Sequence, residues 1–155
     1  MHDLIKHIVK NIGISLLFII TVLISTHANS EQSAEDIIKN RKALFSKNYN
    51  TAKKVQSLSS SGDFDGAKKL MLEMSENYKN LKEMFPDNTK EGFKTEVTAL
   101  VWEEKDKFNS LMEKSSNDMI ELASIIENSD NIRGSLGKLM WSNCKACHSK
   151  YRLPH

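Results

Sequence analysis

The chain predicts an all-α protein, an antiparallel up-down-up-down bundle of four helices, and three observations carry that expectation. Its 155 residues hold only 6 Gly and 2 Pro, too few turn-formers for a sandwich or a barrel. Beyond position 30, Lys, Glu, Leu and Met are abundant and β-branched runs are sparse, which favours helices. Apolar residues then recur at three- and four-residue intervals over four stretches. Amphipathic helices bury such stripes against each other, and short joins make neighbours antiparallel.

The segment before the first of these helices reads as an address. Lys6 and Lys10 precede an apolar run from Ile12 to Ile24, about the length of a signal-peptide core and short for a membrane span. Thr26-His27-Ala28 offers small residues where a signal peptidase reads, so residues 1–28 are expected to be removed and residues 29–155 to form the exported, periplasmic domain. Cleavage after Ser30 is the second choice, and an uncleaved anchor is the competing reading. No Cys lies near the site, which excludes a lipoprotein. Removal takes His2, His7 and His27 away and leaves His148 and His155, a poor set for a multi-histidine zinc or copper centre.

The first helix is expected from about Ser33 to Ser59, with Ile37, Ile38, Arg41, Phe45, Ala52, Val55 and Leu58 on one face. Ser33 with Asp36 three residues later marks its start. Ser59-Ser60-Ser61-Gly62-Asp63 breaks the pattern. A second helix, from about Asp63 to Met84, carries Phe64, Ala67, Leu70, Met71, Met74, Tyr78 and Leu81, and Phe85-Pro86 ends it. A third is expected from near Phe93 to about Asn128, through Val97, Leu100, Val101, Phe108, Leu111, Met112, Met119, Leu122 and Ile126, with Glu104 and Ser115 in its gaps. A fourth runs from about Asp130 to near Arg152, with Ile132, Leu136, Leu139, Met140 and Cys147 on one side.

Charge narrows the function classes. Lys and Arg together number 22 against 20 Asp and Glu, a formal net charge of +2, so a strong nucleic-acid field is not expected. The pairs Lys53-Lys54 and Lys68-Lys69 read as solvated helix faces. There is no Gly-rich phosphate loop and no basic patch interleaved with aromatics.

The chemistry sits in Cys144-Lys145-Ala146-Cys147-His148. On a helix, positions three and four apart share a face. Two thiols so placed match the two vinyl groups of one haem, and His148 can then turn its imidazole to the iron as an axial ligand; this spacing is the c-type haem attachment signature. A thioredoxin-like redox pair expects a strand–helix context that is missing here. A zinc site lacks its fourth ligand. A disulfide would close too short a loop and strain the helix. A non-haem helical binding module is the remaining alternative.

An exported bundle with C-x-x-C-H in its last helix resembles the class II c-type cytochromes, and within them the cytochrome c′ family. The run Asn143-Cys144-Lys145-Ala146-Cys147-His148-Ser149-Lys150-Tyr151-Arg152 is similar to the family's C-terminal stretch, and Ile37-Ile38-Lys39-Asn40-Arg41-Lys42-Ala43-Leu44-Phe45 to its first-helix motif. The resemblance implies one covalent haem c with its iron inside the bundle, near the C-terminal helix. It implies Arg41 beside a haem propionate, Phe45 over the distal face of the iron, Arg152 on the proximal side and Tyr151 closing the bundle end. It also implies a redox partner protein, diatomic ligands such as NO or CO, and pairing of two copies through the first two helices.

Residue 45 then sets the expected ligand state. Low-spin relatives carry Met at that place, and Phe45 has no lone pair to offer. The expectation is a five-coordinate, high-spin iron with His148 as the only protein ligand and a distal face short of hydrogen-bond donors. The alternative is a low-spin, six-coordinate electron carrier whose sixth ligand is Met71, Met74, Met112 or Met119. No group suited to acid–base work is expected in the distal pocket, so the reading is one-electron transfer or gas binding, not an enzyme turning over an organic substrate.

Overall fold

The computed structural model describes residues 32–154. The leader reading, with its cleavage after Ala28 or Ser30, lies outside the described residues, as does His155. Helix α1 spans Ala34–Ser61 and starts as the sequence implies: the Ser33 hydroxyl accepts from Asp36 N at 3.1 Å, with Glu35 and Asp36 in the positive first turn. It stops at Gly62, whose φ of 83° is left-handed and whose N–H returns to Leu58 and Ser59 carbonyls. Asp63 at once caps the next helix, accepting from Gly66 N at 2.9 Å. That helix, α2, spans Phe64–Lys82.

A long connection follows, holding a single 3₁₀ turn, Asp87–Thr89. The third rod is made of α3 (Leu100–Glu103) and α4 (Lys105–Ile125), ending in a 3₁₀ turn, Ile126–Asn128. The fourth is made of α5 (Ile132–Leu136), a π-turn (Gly137–Trp141) and α6 (Ser142–Tyr151). The result is the expected four-helix bundle, with α2 packed most extensively on α4 and on α1.

Its core is Val55 from α1, Met71, Met74 and Leu81 from α2, Met119 and Leu122 from α4, and Met140 from the π-turn, all fully buried. Three polar contacts cross this interior. Ser75 and Ser116 hydroxyls meet at 2.8 Å, Asn77 Nδ2 donates to Asn48 Oδ1 at 2.8 Å, and Asn143 Nδ2 donates to Asp118 Oδ2 at 2.8 Å. The last pair fastens α6 to α4, and Lys114 closes the network on the same Asp118 oxygen. Buried polar groups paired in this way avoid the desolvation penalty of a lone one.

The first, second and fourth helical stretches fall within two residues of their expected ends; the third does not. Residues 93–99 are outside any helix. Gly92, Phe93 and Lys94 have φ of 86°, 47° and 55°, a left-handed run that no helix contains. Phe93 is solvent-exposed instead of starting a core stripe. The third rod also breaks at Glu104, where φ is −119° and ψ 42°. The fourth helix starts at Ile132, since the Asn131 side chain accepts from Gly134 N at 2.9 Å, and it carries a π-turn that apolar spacing gave no sign of.

Leu122→Ala should cost about 2–5 kcal/mol, because Leu122 has no exposed surface and leaves a cavity between rods. Leu72→Ala, at a residue 49% exposed on the outside of α2, should change stability by less than about 0.5 kcal/mol. Denaturant unfolding of the two variants reads the contrast.

Candidate functional site

The bundle holds a cavity of about 630 Å³ between α1, α4 and α6. That is within the range of about 300–1,000 Å³ usual for small-molecule and cofactor sites. The six residues singled out from the sequence all line it: Arg41, Phe45, Cys144, Cys147, His148 and Arg152.

The α1 wall is built by helical spacing. Arg41 and Phe45 are one turn apart, so both face the cavity. Arg41 is only 1% exposed, which rules out an ordinary surface charge. Its Nη1 donates to Met84 O at 3.0 Å and to Thr89 Oγ1 at 3.1 Å, and its Nη2 to Thr95 Oγ1 at 2.8 Å. The guanidinium also lies over the Phe85 ring, 4.4 Å from its centroid. No carboxylate among the described residues pairs with it. Burial lowers its pKa to about 10, which still leaves it charged at neutral pH.

Phe45 stands edge-on to Phe85 at 6.4 Å, and Phe85 to Phe108 at 4.6 Å. Phe108 in turn meets Tyr151 at 5.3 Å, so a chain of rings runs from the α1 wall to the last helix. Asn48, one turn beyond Phe45, lines the same cavity and keeps a buried Nδ2 with no acceptor. It is a polar neighbour that Phe45 alone did not announce. Of the four methionines considered as iron ligands, Met112 lines the cavity; Met71, Met74 and Met119 are core residues away from it.

The opposite wall is α6. Asn143, held by Asp118 and by Leu139 O at 2.8 Å, fixes the helix just before the motif. Cys144 and Cys147 follow as free thiols. Burial pushes both up, Cys147 to about 11 with a further contribution from Cys144, so both are protonated at neutral pH. Tyr78 from α2 hydrogen-bonds Cys144, and burial first, then the thiol, raises its pKa.

The end of α6 is clasped by the connection before α3. Val97 and Arg152 form an antiparallel bridge, with Thr98 N donating to Tyr151 O at 3.1 Å and Leu153 N to Glu96 O at 2.8 Å. Arg152 Nε and Nη2 both donate to Glu96 Oε2, at 3.1 and 2.8 Å. Arg152 thus has a carboxylate partner at the cavity rim. Glu104, at the break in the third rod, accepts from the buried Tyr151 hydroxyl at 3.2 Å and pairs with Lys150 and Lys107. Its hydrogen bond from Lys150 leads in holding the carboxyl down to about 2. Sequence reasoning missed Thr95, Glu96 and Tyr78 as parts of the site, and their spacing carries no signal for it.

The donor set fits a flat, mostly apolar ring with anionic substituents. Two thiols lie on one wall, an imidazole follows on the same helix, aromatic rings fill the cavity's sides, and a buried guanidinium lacks a counter-ion. Fold and site together define a helical-bundle protein of the c-type haem class. The Cytochrome C′ family model matches residues 36–152, and the chain belongs to that family, whose members carry a covalent haem c with its iron.

A curated relative, cytochrome c′ of Rhodopseudomonas palustris, is 28% identical over 120 residues, covering 76% of this chain and 82% of the relative. The solved cytochrome c′ of Rubrivivax gelatinosus superposes with a TM-score of 0.66 at 23% identity, covering 78% of this chain and 98% of that one. That of Thermochromatium tepidum gives 0.67 at 17% identity, with 79% and 98% covered. These two show the shared fold.

Glu104→Gln removes a carboxylate whose pKa is lower folded than unfolded, so its stabilisation is present above about pH 4.5 and fades as pH falls toward about 2. The variant should therefore be less stable than the parent at pH 7, with the gap closing on acidification. Thermal unfolding across that pH window measures it.

Proposed function

We propose that this chain is a periplasmic haem protein for one-electron transfer or diatomic gas binding, with a five-coordinate, high-spin iron. The observation that carries the reading is the meeting, in one cavity, of Cys144, Cys147 and His148 on α6 with Arg41 and Phe45 on α1. The bound haem supplies the one-electron iron couple and an open coordination position.

The protein's own residues do the rest. Cys144 and Cys147 would hold the group covalently through thioether links, and His148 would offer its imidazole to the iron. Arg41 offers its remaining N–H donors and its uncompensated charge to a propionate, while Met84, Thr89 and Thr95 keep the guanidinium in place. Phe45, which lines the cavity, would set hydrocarbon against the open side of the iron and disfavour charged ligands there. Arg152, tethered to Glu96, would lie on the side of the group that His148 holds. No residue of the cavity is set up to move protons on an organic substrate, so the role is binding and electron exchange, not turnover. Export to the periplasm rests on the leader, and no helix of the described residues is long and apolar enough to cross a membrane.

A low-spin carrier is the second reading, and Met112 is the methionine that keeps it open, since it lines the cavity. The absorption spectrum of the purified ferrous protein separates the two. The expected result is a high-spin spectrum that shifts on adding carbon monoxide; a low-spin spectrum without added ligand overturns the five-coordinate assignment. Phe45→Met is expected to produce a low-spin form by placing a thioether on the distal side.

Mass spectrometry of the protein matured in a host with haem-attachment machinery checks the covalent link. The intact chain should gain the mass of one haem, and Cys144→Ser with Cys147→Ser together should lose it.

A further inference from the structure

The charges of this bundle are segregated by helix. No Asp or Glu occurs from Ile37 to Gly62, which is nearly all of α1, although that stretch carries Lys39, Arg41, Lys42, Lys47, Lys53 and Lys54. None occurs from Asn131 to the end of the sequence, which carries Arg133, Lys138, Lys145, Lys150 and Arg152. The stretch from Asp63 to Asp130 holds 16 acidic residues against nine lysines, so a near-neutral net charge hides an uneven distribution along the chain.

The two basic elements meet at the cavity rim. Tyr49 of α1 packs edge-on against Trp141 at 6.2 Å, and Trp141 Nε1 donates to Gln56 Oε1 at 3.0 Å. Both rings line the cavity that holds Cys144 and Cys147, and Tyr49 remains 56% exposed. Lys53 lies over the Tyr49 ring at 5.2 Å, and Lys145 follows Trp141 by one helical turn. Neither lysine has an ion-pair partner among the described residues, and both are exposed. The one acidic residue lining the cavity, Glu96, is already taken by Arg152 and, at 3.8 Å, by Lys42.

We propose that the α1–α6 rim, centred on Tyr49 and Trp141 and flanked by Lys53 and Lys145, is the docking surface for an acidic electron-transfer protein. Exposed Tyr and Trp with adjacent cations are the residue types that anchor protein interfaces. The basic face attracts a partner of opposite charge, which orients the encounter toward the cavity between α1 and α6. Tyr49 and Trp141 line a recess, which suits a protuberant protein partner better than a flat bilayer.

This rests on the haem reading above, and the test keeps the two apart. The ferrous, haem-loaded protein is mixed with hexacyanoferrate(III) or with hexaammineruthenium(III). In each case one electron leaves the iron and reduces the probe, with no bond made or proton moved. The oxidation rate by the anion is expected to fall roughly three- to tenfold between low and high ionic strength, and the rate by the cation to rise.

Lys53→Glu with Lys145→Glu should lower the low-salt rate by the anion by a similar factor, whereas Lys69→Glu with Lys82→Glu, an equal charge change on α2, should leave it within about twofold. Should Lys145→Glu impair haem loading, Lys53→Glu with Lys138→Glu replaces it. A small acidic flavoprotein, reduced beforehand, is then used as the protein probe, and its electron transfer to the ferric protein should show the same salt and variant dependence.

A colourless product overturns the haem reading and this proposal with it. Loaded protein that fails to distinguish the two probes, or that responds equally to both pairs of variants, overturns the docking surface alone. Loss on Lys53→Glu with Lys145→Glu of binding to phosphatidylglycerol vesicles, or of self-association in sedimentation, with flavoprotein transfer unaffected, overturns it in favour of a membrane or a second copy.

Discussion

A guanidinium sealed inside a helical bundle is the constraint around which the rest of this molecule is arranged. Arg41 is charged and buried, and no carboxylate among the described residues balances it. A cation in such a place has to be hydrogen-bonded or it destabilises the fold by several kcal/mol (order of magnitude). The connection between α2 and α3 answers that need: a carbonyl from Met84 and hydroxyls from Thr89 and Thr95 converge on it, and Phe85 spreads its ring beneath. The irregular path of residues 84–99 brings all of these acceptors to one side chain. The same arrangement leaves the positive charge turned toward the cavity, ready for an anionic substituent.

How much of this was legible in the sequence depends on how local its cause is. Helices α1 and α2 were readable because their caps, Ser33 and Asp63, act within three residues and their stripes are regular. The C-x-x-C-H run was readable because its chemistry depends on spacing along a single helix. Arg41 and Phe45 came from the resemblance of the first helix to a known family, and the cavity does gather them with the motif. Phe93 misled because it sits at helical spacing from Val97 and Leu100, yet its backbone is set by distant partners: Arg41 on Thr95 and Arg152 across from Val97. Glu104 was read as a wet gap in a stripe, whereas its carboxylate draws in Lys150 and Tyr151, more than forty residues along the chain. Contacts of that span leave no trace in periodicity.

Lysine-rich faces give a second lesson of this kind. Read one helix at a time, Lys53-Lys54 looks like solvated surface, and each residue is indeed exposed. The meaning changes once the bundle sets α1 beside the last helix, because no acidic residue lies between Ile37 and Gly62 or from Asn131 onward. Net charge, the quantity available from composition, cancels what the fold separates.

The bridge between residues 97 and 152 also decides what opens together. Thr98 and Leu153 both give their amide hydrogens to the crossing, and the Glu96–Arg152 pair and the Glu104–Tyr151 bond tie it down on either side. Separating the end of α6 from this crossing breaks all of these at once, so the two distant stretches form one cooperative unit of local unfolding. Their amides accordingly share a single opening free energy in hydrogen exchange, and Tyr151, Arg152 and Leu153 open together with residues 96–98.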